Sequence, residues 1–206
     1  ASLTDADTEA GPSHRVEALA THLYPRPDIK TEPLMTLSMG ARLTLGDEVE
    51  HGDNVFALVS DGAGEAAVIA AHMAPLDSFT ENDHVAVAER FLNVPYLWGG
   101  RSAHGVDCSS LVQMSLAAVG VPAPRDSDLQ EAALGHAVEG GVEAPLHAGD
   151  LVFWPGHVGI MIDGEYMIHA SGHHMKVVIE PLARTAGRVA AKVGAPTSVK
   201  RLRTGQ

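Results

Sequence analysis

Cysteine is almost missing from this 206-residue chain, which holds Cys108 and no other. A disulfide within the chain is therefore excluded, and the fold must rest on packing. Positive charge is scarce as well. Fourteen Lys and Arg stand against 26 Asp and Glu, for a formal charge of −12. A nucleic-acid backbone or an anionic bilayer repels such a chain unless a local basic patch intervenes, so neither is expected as a partner. No apolar run approaches the roughly 18 residues of a membrane-spanning helix. The opening ASLTDADTEAG is acidic and lacks the basic-then-apolar layout of a secretory leader. A cytoplasmic protein is expected, or a periplasmic one if a leader was removed before residue 1. Aromatics are few: four Phe, three Tyr and two Trp. What the chain does have is 45% apolar residues, enough for a buried core.

Residues 1–13 read as a mobile acidic arm. Residues 14–76 carry short apolar runs, such as Leu34, Leu37, Leu43, Val49, Val55 and Val59. They are separated by the turn signals Met39-Gly40, Leu45-Gly46-Asp47, His51-Gly52-Asp53-Asn54 and Asp61-Gly62-Ala63-Gly64. Short strands at this spacing predict a small β-barrel. The texture changes between about 75 and 83, and a second domain is expected over 80–206. There, 83–92 and 108–119 have helical periodicity. Ser127-x-x-Gln130 has the layout of a helix capping box, opening a helix to about 137. Residues 150–154, 158–162, 165–171, 175–180 and 198–203 read as strands, and 182–191 as a helix. Helices first and antiparallel strands afterwards predict an α+β domain.

Cys108 follows Asp107 and begins a predicted helix. There a thiolate meets unpaired backbone N–H groups and the positive end of the dipole, which lowers a thiol pKa. The competing reading is a small buried hydrophobe. The glycine-rich loop before the helix favours a reactive thiol, since it leaves room for a ligand. A cysteine nucleophile needs a base. Of twelve histidines, His157 opens one predicted strand and His169 lies near the end of the next, with Asp163-Gly164 as the turn between. A three-residue loop such as 162–164 makes them direct cross-strand neighbours, whereas a two-residue turn puts them on opposite faces. His157 then pairs with the thiolate and protonates the leaving amine, and His169 orients it.

Five segments carry a family resemblance: Pro95-Tyr96-Leu97-Trp98-Gly99-Gly100, Gly105-Val106-Asp107-Cys108-Ser109-Ser110, Gly149-Asp150-Leu151-Val152-Phe153-Trp154, Gly156-His157-Val158-Gly159-Ile160 and Ile168-His169-Ala170. In this order over about 80–200 they resemble the NlpC/P60 cysteine peptidases. The resemblance implies a papain-like core with the Cys108 helix packed on an antiparallel sheet. It also implies a Cys108–His157–His169 triad and an oxyanion hole built partly by the Cys108 N–H. The family motif more often ends D-C-S-G, where this chain has Ser110. One branch carries N-terminal SH3-like modules, which residues 14–76 resemble, and hydrolyses the bond between γ-D-glutamate and a diamino acid. Arg125-Asp126-Ser127 with Gln130 is similar to that branch's R-D-S-x-x-Q element. By this resemblance Asp126 pairs with the free amine of the substrate's L-alanine, Ser127 and Tyr96 line the same pocket, and Asp107 and Ser109 touch the substrate. The competing reading of Asp126-Ser127 is plain helix capping.

The expected reaction is therefore hydrolysis of murein peptides with a free N-terminal L-alanine, with no cofactor. A pocket that demands a free amine rejects intact wall and points to released fragments. The alternatives are a hydrolase or amidase acting on intact peptidoglycan, or a catalytically inactive peptide-binding protein. His169, His173 and His174 superficially resemble metal ligands, but no cysteine or carboxylate is in register with them, and no metal is expected. The remaining histidines are read as surface residues. Trp98 and Tyr96 are read as pocket walls.

Overall fold

Short apolar runs broken by turn residues yield small sheets in the first part of the chain, and longer ones build a broad sheet in the second. The computed structural model describes residues 11–60 and 66–202. Residues 1–10 of the expected arm, the Asp61–Gly64 turn and Arg203 lie outside the described residues. Two units are distinct, 1–79 and 80–206.

The first unit contains β1 (His14–Val16), β2 (Ala20–Leu23), β3 (Met35–Ser38), β4 (Arg42–Leu43), β5 (Leu45–His51), β6 (Asn54–Val59), β7 (Ala67–Ile69) and β8 (Met73–Pro75). They form three antiparallel sheets, ordered β4-β1-β8, β2-β3 and β5-β6-β7. Among the described residues no sheet closes on itself, so the expected barrel is corrected to three small sheets. The strands are two to seven residues long, and their ladders break between the three groups. A single bridge, Tyr24 to Ala67, joins the end of β2 to β7. The sheets share a core of Ala57, Val59, Ala66 and Val68, against which Leu23, Leu37, Leu43 and Leu45 pack. Leu45-Gly46-Asp47, expected as a turn, lies inside β5 as an irregularity of register between Leu45 and Glu48. Ser13 is held to Leu43 and Leu45 by hydrogen bonds of 3.0 Å each.

The second unit contains α1 (His84–Glu89), β9 (Arg101–Ser102), β10 (Gly105–Val106), α2 (Cys108–Ala118), α3 (Ser127–Ala133), β11 (His136–Ala137), β12 (Leu151–Trp154), β13 (His157–Met161), β14 (Tyr166–Ser171), β15 (Lys176–Pro181), α4 (Leu182–Val193) and β16 (Ser198–Arg201). Six strands form one antiparallel sheet, ordered β11-β16-β12-β13-β14-β15. This is the α+β arrangement of helices and antiparallel strands that the sequence pattern predicts. Both faces of the sheet are covered. Val152, Trp154, Met161 and Met167 pack with Leu182, Ala186 and Val189 of α4. The alternate residues Val158, Ile160, Ile168 and Ala170 are fully buried, and α2 packs against β13 and β14. Each of the Val and Ile side chains among them contributes about 1.5–3 kcal/mol on burial. His84, expected at the surface, instead packs its ring against Gly149, whose carbonyl oxygen lies 3.2 Å from Nε2.

Candidate active site

The nucleophile candidate is set by its helix cap. Asp107 is the N-cap of α2, and its Oδ1 accepts the Ser110 N–H at 2.8 Å. Ser110 Oγ returns the favour, accepting the Asp107 N–H at 2.9 Å. The hydroxyl of Ser110 completes this box, which a glycine there could not do. Arg125 grips the same carboxylate with both terminal nitrogens, at 2.9 and 2.6 Å, and donates to Ser109 Oγ at 2.8 Å. Gly99 donates its N–H to Asp107 Oδ2 at 2.9 Å. Cys108 therefore occupies the first helical position with its backbone N–H free of any intrahelical acceptor. Its side chain is 7% exposed, buried yet not sealed.

The base candidate is set by a turn. Trp154 pairs with His157 across Pro155-Gly156, with Gly156 at φ +74°. Proline followed by a left-handed glycine is the sequence of a tight type II reversal. It places the Gly156 carbonyl oxygen 3.9 Å from Cys108 Sγ, directly before His157. The next hairpin pairs Met161 with Met167, and Ile162 N–H donates to Tyr166 O, leaving 163–165 as an odd, three-residue loop. The expected loop at 162–164 is thus displaced by one residue. His157 and His169 share a face as diagonal neighbours, not direct partners. His169 lies opposite Gly159, where a Cβ would stand 3.3 Å from the His169 Cβ and 1.8 Å from Met167 Cε. The missing side chain lets the His169 ring lean over to meet His157, with Nδ1 2.8 Å from His157 Nε2.

A second diagonal step continues the line. His169 Nε2 lies 2.8 Å from Glu180 Oε1 on β15. Glu180 is in turn held by Arg188 of α4, at 2.9 Å through Oε2 and by a second contact through Oε1. This chain assigns the tautomers. A carboxylate only accepts, so His169 carries its proton on Nε2 and accepts at Nδ1. His157 then donates from Nε2, and its Nδ1 is left with a bare lone pair. Neither Glu180 nor Arg188 was identified from sequence. The available signal was one acid inside the apolar strand Val177-Val178-Ile179-Glu180, on the face that alternation gives to Val178.

Electrostatics describe a neutral resting pair. Burial pushes the Cys108 thiol up, against the pull of the backbone N–H groups of Val158, Ser109 and Cys108. The helix N-terminus thus acts in the expected direction, but burial outweighs it, correcting the expectation of a depressed thiol. Burial and the neighbouring His169 and Arg188 lower His157 to about 3. His169 is also lowered, chiefly by burial. For Glu180, hydrogen bonds from His169 and Arg188 overcome the opposing effect of burial and hold the carboxyl well below its usual range. At rest Cys108 is a thiol and His157 an unprotonated imidazole, with the ionic pair Glu180–Arg188 behind His169.

The other candidates divide into two groups. Asp107 and Ser109 are committed to Arg125 and to the cap. Asp126 is exposed and Ser127 half-buried, and neither side chain has a hydrogen bond among the described residues. The expected capping box at Ser127 does not form. Asp126 is the N-cap of α3 without a side-chain bond, and Gln130 is buried, donating instead to Ser109 O at 2.8 Å and Pro124 O at 2.9 Å. Plain capping therefore fails to account for Asp126-Ser127. Tyr96 is half-buried near Cys108. Burial raises its pKa, with the negative charges of Cys108 and Asp107 adding to the rise. Trp98, read as a pocket wall, is 83% exposed instead. Two glycines of the preceding loop are required by the chain itself. A Cβ at Gly100 would meet Gly105 O at 2.6 Å, and one at Gly105 would meet Leu97 Cβ at 2.6 Å. Among the described residues, no three His, Cys, Asp or Glu side chains are grouped to hold a metal.

Residues 93–189 match the NlpC/P60 family profile. The chain is 30% identical over 154 residues to dipeptidyl-peptidase 6 of Lysinibacillus sphaericus, covering 70% of this chain and 55% of the relative. It is 31% identical over 146 residues to the gamma-D-glutamyl-L-lysine dipeptidyl-peptidase of Bacillus subtilis, covering 65% and 47%. The chain thus spans about half the length of these relatives. A crystal structure of an NlpC/P60 family protein from Bacillus cereus superposes with a TM-score of 0.71 at 27% identity, over 92% of this chain and 63% of the other.

Proposed function

Residues 93–189 form an NlpC/P60 family domain, and from that premise we propose that the protein is a cysteine peptidase hydrolysing the γ-D-glutamyl–diamino acid bond of murein peptides with a free N-terminal L-alanine. The observation that carries the chemistry is the line Glu180–His169–His157, which leaves the His157 Nδ1 lone pair as the available base. His157 takes the thiol proton as Cys108 Sγ attacks the γ-carbonyl carbon. The developing oxyanion is met by the Cys108 N–H at the start of α2. Protonated His157 gives its proton to the leaving amine, and the γ-glutamyl group remains as a thioester. Water, deprotonated by His157, then releases the acid and restores the thiol.

Specificity for a free amine rests on Asp126. Its carboxylate is exposed and uncommitted while its neighbours Arg125 and Gln130 are both engaged. A charged hydrogen bond there contributes about 1.5–3 kcal/mol. The naming of the Bacillus subtilis relative as a gamma-D-glutamyl-L-lysine dipeptidyl-peptidase supports the bond assigned. The test is mass spectrometry of L-Ala-γ-D-Glu-diaminopimelate digests. Wild-type protein is expected to release L-Ala-γ-D-Glu, and Cys108→Ala to release none while keeping its fold. Acetylating the substrate's amine is expected to slow cleavage by about 10–100-fold. Equal cleavage of both forms refutes the role of Asp126, and undiminished turnover by Cys108→Ala refutes the enzyme.

A further inference from the structure

Twice in the proposed reaction His157 must carry a second proton, and little around it welcomes the charge. Burial opposes it, as do His169 of β14 and Arg188 of α4. Glu180 of β15 favours it, but acts from beyond the His169 ring and is already paired with Arg188. Tyr96, His173 and Lys192, which line the same cavity as His157, bring no negative charge. Cys108 of α2 is negative only until its sulfur attacks.

One neighbour differs. Trp154, the last residue of β12, is the direct cross-strand partner of His157. Its ring centroid lies 5.7 Å from that of the imidazole, with the planes at 44°. The face of an indole attracts a cation within about 6 Å of its centre, and does so better than a phenyl ring. An imidazolium spreads its charge over the whole ring, so a tilted approach still brings charge toward the indole. Packing alone does not account for an indole at this position. Trp154 is 2% exposed, and its Nε1 has no hydrogen-bond partner among the described residues. Burying an N–H without an acceptor is costly. A Phe or Leu would sit among Val152, Met161, Met167 and Leu182 without that cost.

We propose that the indole face of Trp154 stabilises His157 while it is protonated, which makes Trp154 a positioning residue for both proton transfers. This role rests on the proposed reading of Cys108 and His157 as nucleophile and base. The neutral imidazole at rest gains little from the indole and the imidazolium gains more, so the contact lowers the barrier instead of deepening the ground state.

The experiment follows iodoacetamide alkylation of Cys108 against pH in wild-type protein, Trp154→Phe and Trp154→Leu. Near neutral pH the thiolate forms by passing its proton to His157. In alkaline solution the proton leaves to solvent and His157 stays neutral. Trp154→Leu keeps the imidazole covered but removes the π face. It is expected to slow alkylation about tenfold near neutral pH and to match the wild type in alkaline solution. Trp154→Phe, with a weaker π face, is expected to fall between. For the tripeptide, kcat is expected to follow the same order with KM little changed. Urea unfolding identifies a variant that fails to fold. If Trp154→Leu does, Trp154→Phe decides alone, and a rate equal to the wild type near neutral pH overturns the inference. So does a Trp154→Leu rate equal to the wild type there, or an equal loss at both ends of the pH range. The expected order of alkylation without cleavage of the tripeptide by the wild type overturns the proposed function and leaves the role of Trp154 standing.

Discussion

Glu180 shows how a single carboxylate can set the protonation of a site without touching the sulfur. Its contact with His169 Nε2 fixes one tautomer, and that tautomer fixes the next. Glu180→Ala removes the acceptor and leaves Arg188 unpaired. We expect kcat to fall roughly 100-fold with KM little changed, the lower end of what a positioned general base contributes. Steady-state kinetics on the tripeptide check it, and an unchanged kcat would show that His157 needs no such support. At this scale Cys108, His157 and His169 were legible because each sits at a position with a mechanical meaning: a helix start, a strand start after a turn, a strand end. Glu180 was not legible. On a sheet covered on both faces, a strand gives no polar alternation to mark which side an acid points to. Its significance comes from a register that only the folded sheet fixes.

Elements carry the precision that the residues require. The β13–β14 hairpin brings two rings together only because Gly159 has no side chain between them. Gly159→Ala is expected to destabilise the fold by about 1–3 kcal/mol through overpacking and to lower activity beyond what stability explains. Urea unfolding and kinetics below the unfolding range separate the two effects. The start of α2 is a second point of precision. Asp107→Ala removes a cap worth about 1 kcal/mol and strands the Arg125 guanidinium. The expected result is a lowered Tm together with a loss of thiol reactivity, read by the rate of iodoacetamide alkylation. The sequence pattern located α2 to within a residue because Asp107 and Gly120 bracket it. It misread Ser127–Gln130 because a capping-box spacing does not reveal a partner 21 residues away, the Ser109 carbonyl that Gln130 actually reaches.

On the scale of the whole molecule, buried histidines make the fold sensitive to acid. His157, His169 and His84 are all held below their ordinary value of 6.5, each chiefly by burial. The unfolded chain takes up protons at these rings near pH 6.5, while the folded His157 does so only at about 3. Stability is therefore complete above pH 6.5 and falls as pH drops through that window. The slope is about 1.4 kcal/mol per pH unit for each histidine that stays neutral. Thermal melts between pH 5 and pH 8 are expected to show a flat upper limb and a declining lower one. A flat profile throughout would mean that the rings are not buried as neutral species. Fold class was readable at this scale because long apolar strands follow the helices. The closed barrel was not, since periodicity shows that strands exist but not whether two-residue and three-residue ladders can join into a ring.

The sole sulfhydryl of these 206 residues is also the atom assigned to the chemistry. Any alkylating or disulfide-forming reagent that adds to the native protein therefore counts competent centres, one per chain, with no background from other thiols. The same arithmetic has a cost: a sulfenic acid formed there finds no second thiol in the chain to cap it, and further oxidation is irreversible.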